Sequence, residues 1–258
     1  MSVKRSSILI AALLAAAGLT AQEANTSKLE KSLSFGATLT DGNSETMLLN
    51  GSLLIEGEQE RLGSFKTGAE ANYGENTVRR TVTDSDGSEV KVKEDEKSVY
   101  NAKAFANLRK TLSPLTYAYL NGDLLYDDIA EIDYRATLGP GLGAYLLKDD
   151  TVTLSVEAGV AYLWEKVVDI KDDYLALRFA QAFEYKFSEN AKIWQSIEYL
   201  PEASHFSNYL INAELGAEAP LNGKVNLRLV LQDKYDSEPG AGMKRNDLTL
   251  LAGLSIKL

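Results

Sequence analysis

Apolar and polar residues alternate along most of this chain with the two-residue period of a β-strand. The clearest example runs from Thr151 to Trp164, where one face is apolar and the other is polar or small from Thr153 to Ala161. The apolar face carries Val152, Leu154, Val156, Ala158, Val160, Tyr162 and Trp164. A strand of this kind separates an apolar environment from a polar one.

The same alternation predicts twelve strands. Their predicted bounds are residues 32–40, 45–56, 62–73, 98–110, 115–126, 133–146, 151–164, 174–187, 191–200, 208–219, 224–235 and 247–258. Single-chain bacterial outer-membrane barrels contain an even number of antiparallel strands. The predicted fold class is therefore all-β, a transmembrane antiparallel up-and-down β-barrel of about twelve strands.

The connections between these strands differ in length at the two ends of the predicted barrel. Those at one end are short and comprise residues 57–61, 111–114, 147–150, 188–190 and 220–223. Most at the other end are longer and comprise residues 75–97, 127–132, 165–173, 201–207 and 237–246. Outer-membrane barrels have short periplasmic turns and longer external loops. The pattern predicts an external hairpin within residues 75–97 and both termini in the periplasm.

Outward-facing aromatic residues gather at the external ends of strands that run in alternate directions. They are Tyr73, Tyr100, Tyr126, Tyr134, Trp164, Tyr199 and Tyr209. Amphipathic rings prefer the headgroup level of a bilayer, so these residues are predicted to form the outer aromatic girdle. The alternative is that they are ordinary strand aromatics, which β-propensity favours. A soluble periplasmic β-protein would carry polar residues at these positions.

Three polar residues fall on the predicted lipid-facing side. Gln181 and Gln195 lie on neighbouring strands, which indicates a β-bulge or a shifted register there. Asp233 lies close to a predicted external loop, where water is within reach.

The N-terminus has the features of an export signal. Lys4 and Arg5 precede an apolar stretch at residues 8–19, which is shorter than the roughly 20 residues of a membrane helix. The predicted divisions are a signal peptide at residues 1–21, cleaved near Ala21/Gln22, a periplasmic N-terminal segment at 22–31, and an outer-membrane β-barrel at 32–258.

Charge and cysteine content narrow the possible partners. The chain has 27 Lys and Arg against 37 Asp and Glu, and removal of Lys4 and Arg5 with the signal leaves 25 against 37, a net charge of −12. This acidic balance argues against a nucleic-acid partner. The chain contains no cysteine, which excludes a disulfide framework, a thiolate metal site and an acyl anchor on cysteine. An outer-membrane localisation fits all of these observations.

The inward positions carry charges of both signs. The predicted lumen-lining residues are Lys66, Glu70, Lys103, Asp123, Arg135, Glu157, Arg178, Glu184, Glu214 and Arg228, five cations and five anions. A channel selective for one sign of charge shows a bias at its constriction. Mixed charges favour ion pairs that brace the barrel, and a small pore is the alternative.

An outer-membrane lipid hydrolase is the alternative from another functional class. A Ser-His hydrolase of the outer-membrane phospholipase type needs a histidine, and His205, in the predicted loop 201–207, is the only one in the chain. A single loop histidine is more often simply solvated. The sequence shows no glycine-rich phosphate-binding loop and no metal-ligand spacing, so no catalytic residue, cofactor or metal is predicted.

Three segments carry a family resemblance. They are Thr40-Asp41-Gly42-Asn43-Ser44-Glu45-Thr46, then Asp133-Tyr134-Arg135 leading to Gly139-Pro140-Gly141-Leu142-Gly143-Ala144-Tyr145, and Tyr235-Asp236-Ser237-Glu238-Pro239 before the final strand. They resemble the salt-induced outer-membrane protein family, which is classed among domains of unknown function. The resemblance covers nearly the whole mature chain in the same order. It implies an outer-membrane β-barrel without known catalysis and a link to salt or osmotic response.

The expected partners follow from a barrel in the outer membrane. They are outer-membrane lipid and lipopolysaccharide, with the barrel-assembly machinery during biogenesis, and the chain is expected to be a monomer. Barrel proteins commonly end in an aromatic residue that the assembly machinery recognises, whereas this chain ends in Leu258.

Overall fold

The computed structural model describes residues 28–40, 45–59, 63–83 and 89–258. They form β1 (Lys28–Thr40), β2 (Glu45–Gln59), β3 (Gly63–Thr83), β4 (Glu89–Thr111), β5 (Thr116–Asp127), β6 (Ile132–Lys148), β7 (Val152–Val167), β8 (Ile170–Ser188), β9 (Ala191–Pro201), β10 (Tyr209–Pro220), β11 (Val225–Asp236) and β12 (Asn246–Lys257). The predicted signal peptide lies outside the described residues. None of the described residues belongs to a helix long and apolar enough to cross a bilayer.

The twelve strands form a closed antiparallel barrel. Each strand pairs with its neighbours in sequence, and β1 pairs with β12 to close the sheet. Closure leaves no sheet edge, so the backbone groups of every strand have a partner strand on both sides. The predicted fold class, an antiparallel barrel of about twelve strands, is confirmed.

The closing seam between β1 and β12 is short and depends on two glycines. The registered pairs run from Ser32↔Lys257 to Phe35↔Leu254. A Cβ atom at Gly36 would collide with the carbonyl oxygen of Ala252, and one at Gly253 would collide with that of Phe35. Because glycine has no Cβ, the two backbones approach closely where the seam ends.

Several strands extend beyond their predicted ends. β1 begins at Lys28 rather than at residue 32, so part of the predicted N-terminal segment belongs to the barrel. β3 and β4 continue to Thr83↔Glu89 as one projecting hairpin, with a register shift at Gly74/Glu75. Residues 75–83 and 89–97 therefore pair as strands, which confirms the hairpin predicted within residues 75–97; this hairpin continues the barrel strands and is not a separate element.

The predicted loop 165–173 is also mostly strand. β7 and β8 pair as far as Val167↔Ile170 and turn through Val168 and Asp169. Both turn residues have positive φ, 48° and 63°, which is the backbone of a tight two-residue hairpin turn. Positive φ is rare for a β-branched residue such as Val168, and the sequence therefore gave no signal of this turn.

The two ends of the barrel carry different sets of connections. The loop end carries residues 128–131, 168–169, 202–208 and 237–245, and the turn end carries residues 112–115, 149–151, 189–190 and 221–224. At the turn end, hydrogen bonds from the backbone N–H groups of Val152 and Thr151 hold the pKa of Asp149 below its usual range. These bonds fix the tight turn that joins β6 to β7.

The register of β8 and β9 corrects one expectation. Their pairing is unbroken from Phe179↔Tyr199 to Lys186↔Lys192, and the register shift lies beyond it, at Lys186/Ser188. The bulge or register change expected at Gln181 and Gln195 is therefore wrong. Arg178 faces inward, and successive side chains of a strand alternate between the two faces, so both glutamines face outward.

Aromatic rings fill the inner wall above a set of glycines. The Tyr117 ring lies over Gly143, and the Tyr119 ring lies over Gly141 and Gly159, so that any Cβ there would collide with a ring. On the other side of the barrel the Trp194 ring covers Gly216 in the same way. The glycines of β6, β7 and β10 thus leave the space in which the aromatic rings of the lumen pack against the wall.

A valine at Gly141 is expected to destabilise the barrel by about 2–3 kcal/mol, because the added side chain displaces the Tyr119 ring from the wall. Gly51 is the matched control, since it also lies within a strand and a Cβ there meets nothing within 4 Å. Urea unfolding in lipid vesicles measures both variants. Equal midpoints for Gly141→Val and Gly51→Val would contradict the packing argument.

Candidate functional site

The lumen is the candidate site, and its centre is a buried carboxylate on β7. Glu157 accepts hydrogen bonds from Arg109 Nη2 at 2.9 Å and from the Tyr117 hydroxyl at 2.8 Å through one oxygen. Its other oxygen accepts from Arg178 Nη1 at 2.8 Å. The side chain is only 5% exposed. Glu157 therefore ties β4, β5 and β8 to β7 across the lumen.

The network continues from Arg178 toward β10. Arg178 Nε donates to Glu198 Oε1 at 2.6 Å, and Asn212 donates to the second Glu198 oxygen at 3.1 Å. In the amide orientation that satisfies its neighbours, Asn121 accepts from Arg178 Nη2 at 2.9 Å. The guanidinium also lies 4.9 Å from the centroid of the Tyr119 ring. Arg178 is thus held on three sides by charge, amide and aromatic contacts.

A second chain of contacts crosses the lumen from β9 to β3. Glu214 accepts from Trp194 Nε1 at 2.6 Å and from Gln232 Nε2 at 3.1 Å, and the same Gln232 nitrogen lies 3.4 Å from Glu70 Oε2. The Arg228 guanidinium stacks 4.8 Å from the Trp194 ring centroid. These contacts join strands that lie on different sides of the barrel.

One side of the lumen, formed by β7 to β10, is apolar near the loop end. Ala161, Leu163, Ala176, Leu200 and Leu210 form a buried cluster of inward-facing residues on β7 to β10. This cluster lies where those strands leave strict alternation and carry apolar residues on both faces. It narrows the lumen without any charged group.

Residues 237–245, the strap, cover the loop end. A Cβ at Gly240 would collide with Val168, so the strap lies against the tip of the β7–β8 hairpin. Arg135 on β6 donates to Glu165 at 2.5 Å and to Asp236, just before the strap, at 2.9 Å. A cavity of about 80 Å³ is left beneath the strap.

The turn end is open by comparison. A cavity of about 1130 Å³ is lined by charged residues of both signs, among them Lys66, Glu184 and Lys192. Glu184 accepts from Lys192 at 2.9 Å and lies 3.5 Å from Lys186. A cavity of about 270 Å³ at mid-depth separates this vestibule from the strap. The lumen is thus a funnel that narrows from the turn end to the loop end.

All ten predicted lumen residues line these cavities. Glu157 and Arg178 belong to the central network, and Glu70, Glu214 and Arg228 belong to the second chain of contacts. Lys103 and Asp123 form a pair 3.5 Å apart. Arg135 lies beneath the strap, and Lys66 and Glu184 line the vestibule. The structure places them in five groups along the lumen rather than in one site.

The predicted girdle residues lie near the loop end of the outer wall. Tyr73, Tyr100 and Tyr126 form an edge-to-face row with centroids 5.8 Å apart in each pair. The Tyr126 hydroxyl donates to Asp128 at 3.0 Å, further toward the loops. Tyr134 lies on the adjacent strand β6.

The row continues on the other side of the barrel. Tyr209 packs on Tyr199 with centroids 5.5 Å apart and stacks on Tyr235 at 5.7 Å. Trp164 packs against Tyr162 at 4.7 Å. Tyr162 and Tyr235 were not among the predicted girdle residues, although their outward position in the alternation placed them beside it.

His205 has a hydroxyl partner in its own loop. Ser207 Oγ and His205 Nε2 are 2.7 Å apart, and His205 Nδ1 lies 3.9 Å from Glu238 Oε1. The His205 and Glu238 side chains are about half exposed, 58% and 50%. The order serine, histidine, carboxylate is that of a hydrolase triad, but 3.9 Å is too long for the carboxylate–histidine hydrogen bond of a triad, and the groups lie at the rim of the barrel.

The loop that carries His205 is organised by Glu202. Hydrogen bonds from the side chains of Ser204 and Asn208 hold the pKa of Glu202 below its usual range. Backbone hydrogen bonds from His205 to Glu202 and from Asn208 to His205 close the turn. The loop therefore has a defined conformation at neutral pH.

Several lumen residues were missed by the sequence reasoning. Trp194, Tyr117 and Tyr119 sit at inward positions, where an aromatic residue is unusual, and each faces a glycine on a neighbouring strand. The inward aromatic residues together with the inward glycines were a signal available in the sequence. The apolar cluster had a signal too, because Ala161 to Trp164 breaks the alternation.

Replacing Glu157 with glutamine is expected to cost about 3–5 kcal/mol of unfolding free energy, because the buried Arg178 and the partly buried Arg109 lose their shared counter-charge. Glu56→Gln is the control: Glu56 pairs with Lys66 at 3.8 Å in an exposed setting, where a pair contributes less than about 1 kcal/mol. Urea unfolding in lipid vesicles compares them. If Glu157→Gln unfolds at the wild-type midpoint, the network does not brace the barrel.

Several solved structures have folds similar to that of this chain. A NanC porin has a TM-score of 0.50 and 8% identity, with 89% of this chain and 100% of that chain covered. A KdgM porin in complex with disordered oligogalacturonate has a TM-score of 0.45 and 10% identity, covering 90% and 99%. The translocator domain of the autotransporter NalP from Neisseria meningitidis has a TM-score of 0.44 and 12% identity, covering 97% of each chain. At its low identity, the NanC likeness concerns the fold alone.

The sequence comparisons identify a family without an assigned activity. No curated protein matches the chain significantly. The family model described as "Protein of unknown function, DUF481" matches residues 33–258, from within β1 to the last residue. This match spans nearly the whole barrel, and the chain belongs to that family.

Proposed function

We propose that the protein is a structural barrel of the Gram-negative outer membrane, with a lumen braced shut at mid-depth. In this proposal a signal peptide ending near Ala21 directs export, and the barrel-assembly machinery inserts the chain among outer-membrane lipid and lipopolysaccharide. The loop end faces outward and the vestibule opens to the periplasm. Alternating apolar side chains on the outer wall and the aromatic row near the loop end support this placement.

The Glu157 network is the observation that carries the structural role. Two arginines and a tyrosine from three other strands converge on one buried carboxylate. A permanently open channel needs a continuous water-filled path, whereas these groups pair with one another across the lumen and leave only a cavity of about 270 Å³ at mid-depth. The strap and the apolar cluster close the loop end as well.

The balance of charge in the lumen supports the same proposal. Cations and anions alternate around the wall and pair locally, as in Lys103 with Asp123 and Arg228 with Glu218 at 3.6 Å. Paired charges give no net field to attract one sign of ion. A small pore is the less favoured reading.

Wild-type protein in a planar lipid bilayer is expected to show no resolved conductance steps, because the central network and the strap obstruct the lumen. The double variant Arg109→Ala with Arg178→Ala, combined with deletion of residues 238–244, is expected to open an ion path. Heat-modifiable migration on a gel establishes that each variant is a folded barrel.

Lys66→Ala serves as the control variant, since Lys66 lines the wide vestibule. It is expected to stay closed like the wild type. Regular conductance steps from the wild-type protein would contradict the structural role and favour the small-pore function. If the variant with both arginine substitutions and the strap deletion folds but does not conduct, other residues obstruct the lumen.

Lipid hydrolysis at the barrel rim is a second candidate function, favoured by the 2.7 Å contact between Ser207 and His205. If it operates, Ser207→Ala and His205→Ala each lower phospholipid turnover about 100-fold or more, through loss of nucleophile or base. Ser204→Ala is the control, because its hydroxyl donates to Glu202 instead. Wild-type protein without turnover in mixed detergent–phospholipid micelles removes this candidate.

A role in salt or osmotic response is the finer form of the structural proposal. It rests on the motif resemblance alone. A deletion strain that grows like its parent across a range of salt concentrations would contradict it.

A further inference from the structure

The outer wall carries two glutamines side by side. Gln181 lies on β8 between Val156 and Ile197, and Gln195 lies on β9 between Phe183 and Leu215. Each is thus flanked by apolar residues on both neighbouring strands. Gln195 pairs with Phe183, which lies two residues along β8 from Gln181. The two glutamine side chains are therefore diagonal neighbours on the outer wall.

Both glutamines lie away from the ends of their strands. Gln195 is the fifth of the eleven residues of β9, and Gln181 is the twelfth of the nineteen residues of β8. The aromatic row, represented by Phe179 and Tyr199, lies closer to the loop end. Gln181 lies two residues from Phe179, and Gln195 lies four residues from Ala191, so both amides lie within the wall and not in the connections.

Neither amide makes a hydrogen bond to any described residue. A carboxamide has two N–H donors and a carbonyl acceptor, and hydrocarbon offers partners for none of them. In membrane proteins, glutamine side chains form hydrogen bonds between neighbouring transmembrane elements. An outward glutamine pair at this depth therefore indicates a protein surface on the other side.

We infer that two copies of this chain pair through the β8–β9 wall, around a two-fold axis that passes between Gln181 and Gln195. Such an axis sets Gln181 of each copy opposite Gln195 of the other, and each amide then donates to and accepts from its counterpart. The same patch serves on both copies, as a two-fold interface requires. The inference rests on the proposed membrane location, and it replaces the monomer expected from the sequence.

A further polar group lies on the same side of the barrel. Asp233 on β11 is outward, opposite Ala213 on β10, and its Oδ1 is buried without a partner among the described residues. Asp233 lies two residues from Tyr235 of the aromatic row, at the margin of the paired wall. This oxygen is buried within the chain itself, so the pairing rests on the two glutamines and not on Asp233.

Cysteine cross-linking tests the pairing directly, because the chain contains no cysteine of its own. Full-length Gln181→Cys and Gln195→Cys chains with different tags are co-expressed and oxidised in the membrane. They are expected to form a disulfide-linked heterodimer on a non-reducing gel. Leu120→Cys, on the lipid-facing side of β5, is the control and is expected to stay uncross-linked. Absence of the heterodimer, or equal cross-linking of the control, overturns the pairing.

Mass measurement in nanodiscs tests the role of the amides. Wild-type protein is expected at the mass of two chains, and the double variant Gln181→Leu with Gln195→Leu at the mass of one chain. A wild type of one chain, or a double variant that remains paired, contradicts the inference. Heat-modifiable migration and membrane fractionation of both proteins separate this outcome from failure of the proposed outer-membrane barrel, which would abolish both signals.

Discussion

For the proposed membrane placement, backbone hydrogen bonding in an apolar solvent is the constraint on which the rest of this structure depends. Each unpaired N–H or C=O in hydrocarbon costs several kcal/mol, roughly the same order as the whole stability of a small domain. The sheet meets this constraint only by closing, and closure depends on the short seam from Ser32↔Lys257 to Phe35↔Leu254. Gly36 and Gly253 let the two strands meet there. Every inward or outward direction in the barrel follows from that closure.

Closure also explains how much of the fold could be predicted from the sequence. Within the wall, one residue in two faces an apolar medium, so strands such as β7 and β12 were recognisable from alternation alone. Beyond the wall, both faces of a hairpin meet water and the alternation ends. The distal parts of β3 and β4, up to Thr83 and Glu89, were therefore predicted as a separate external hairpin and not as continuations of the barrel strands.

The lumen was predictable in its members but not in its contacts. Alternation gives the side on which a residue lies, and the inward charges were identified in that way. Which charge meets which depends on register between strands and on distance across the lumen. Gln232 and Glu70, for example, are 162 residues apart and within 3.4 Å. No period in the sequence carries that information, whereas the inward pairing of Tyr119 with Gly141 on the adjacent strand left a local signal.

The charged interior has a reason beyond the strength of its ion pairs. Buried ion pairs are often no more stabilising than apolar residues of the same volume. An apolar lumen, however, would give each strand two apolar faces, and a slip of one residue would then turn the wrong set of side chains to the lipid at little cost. Glu157 and Arg178 make such a slip expensive, since it would place a charge in hydrocarbon. The apolar cluster around Leu163 is confined to the loop end, next to the β7–β8 hairpin, whose turn holds the register independently. Polar residues at mid-depth therefore keep the apolar face of each strand outward and the polar face inward. Gln181 and Gln195 are exceptions to this rule, which a second protein surface would explain.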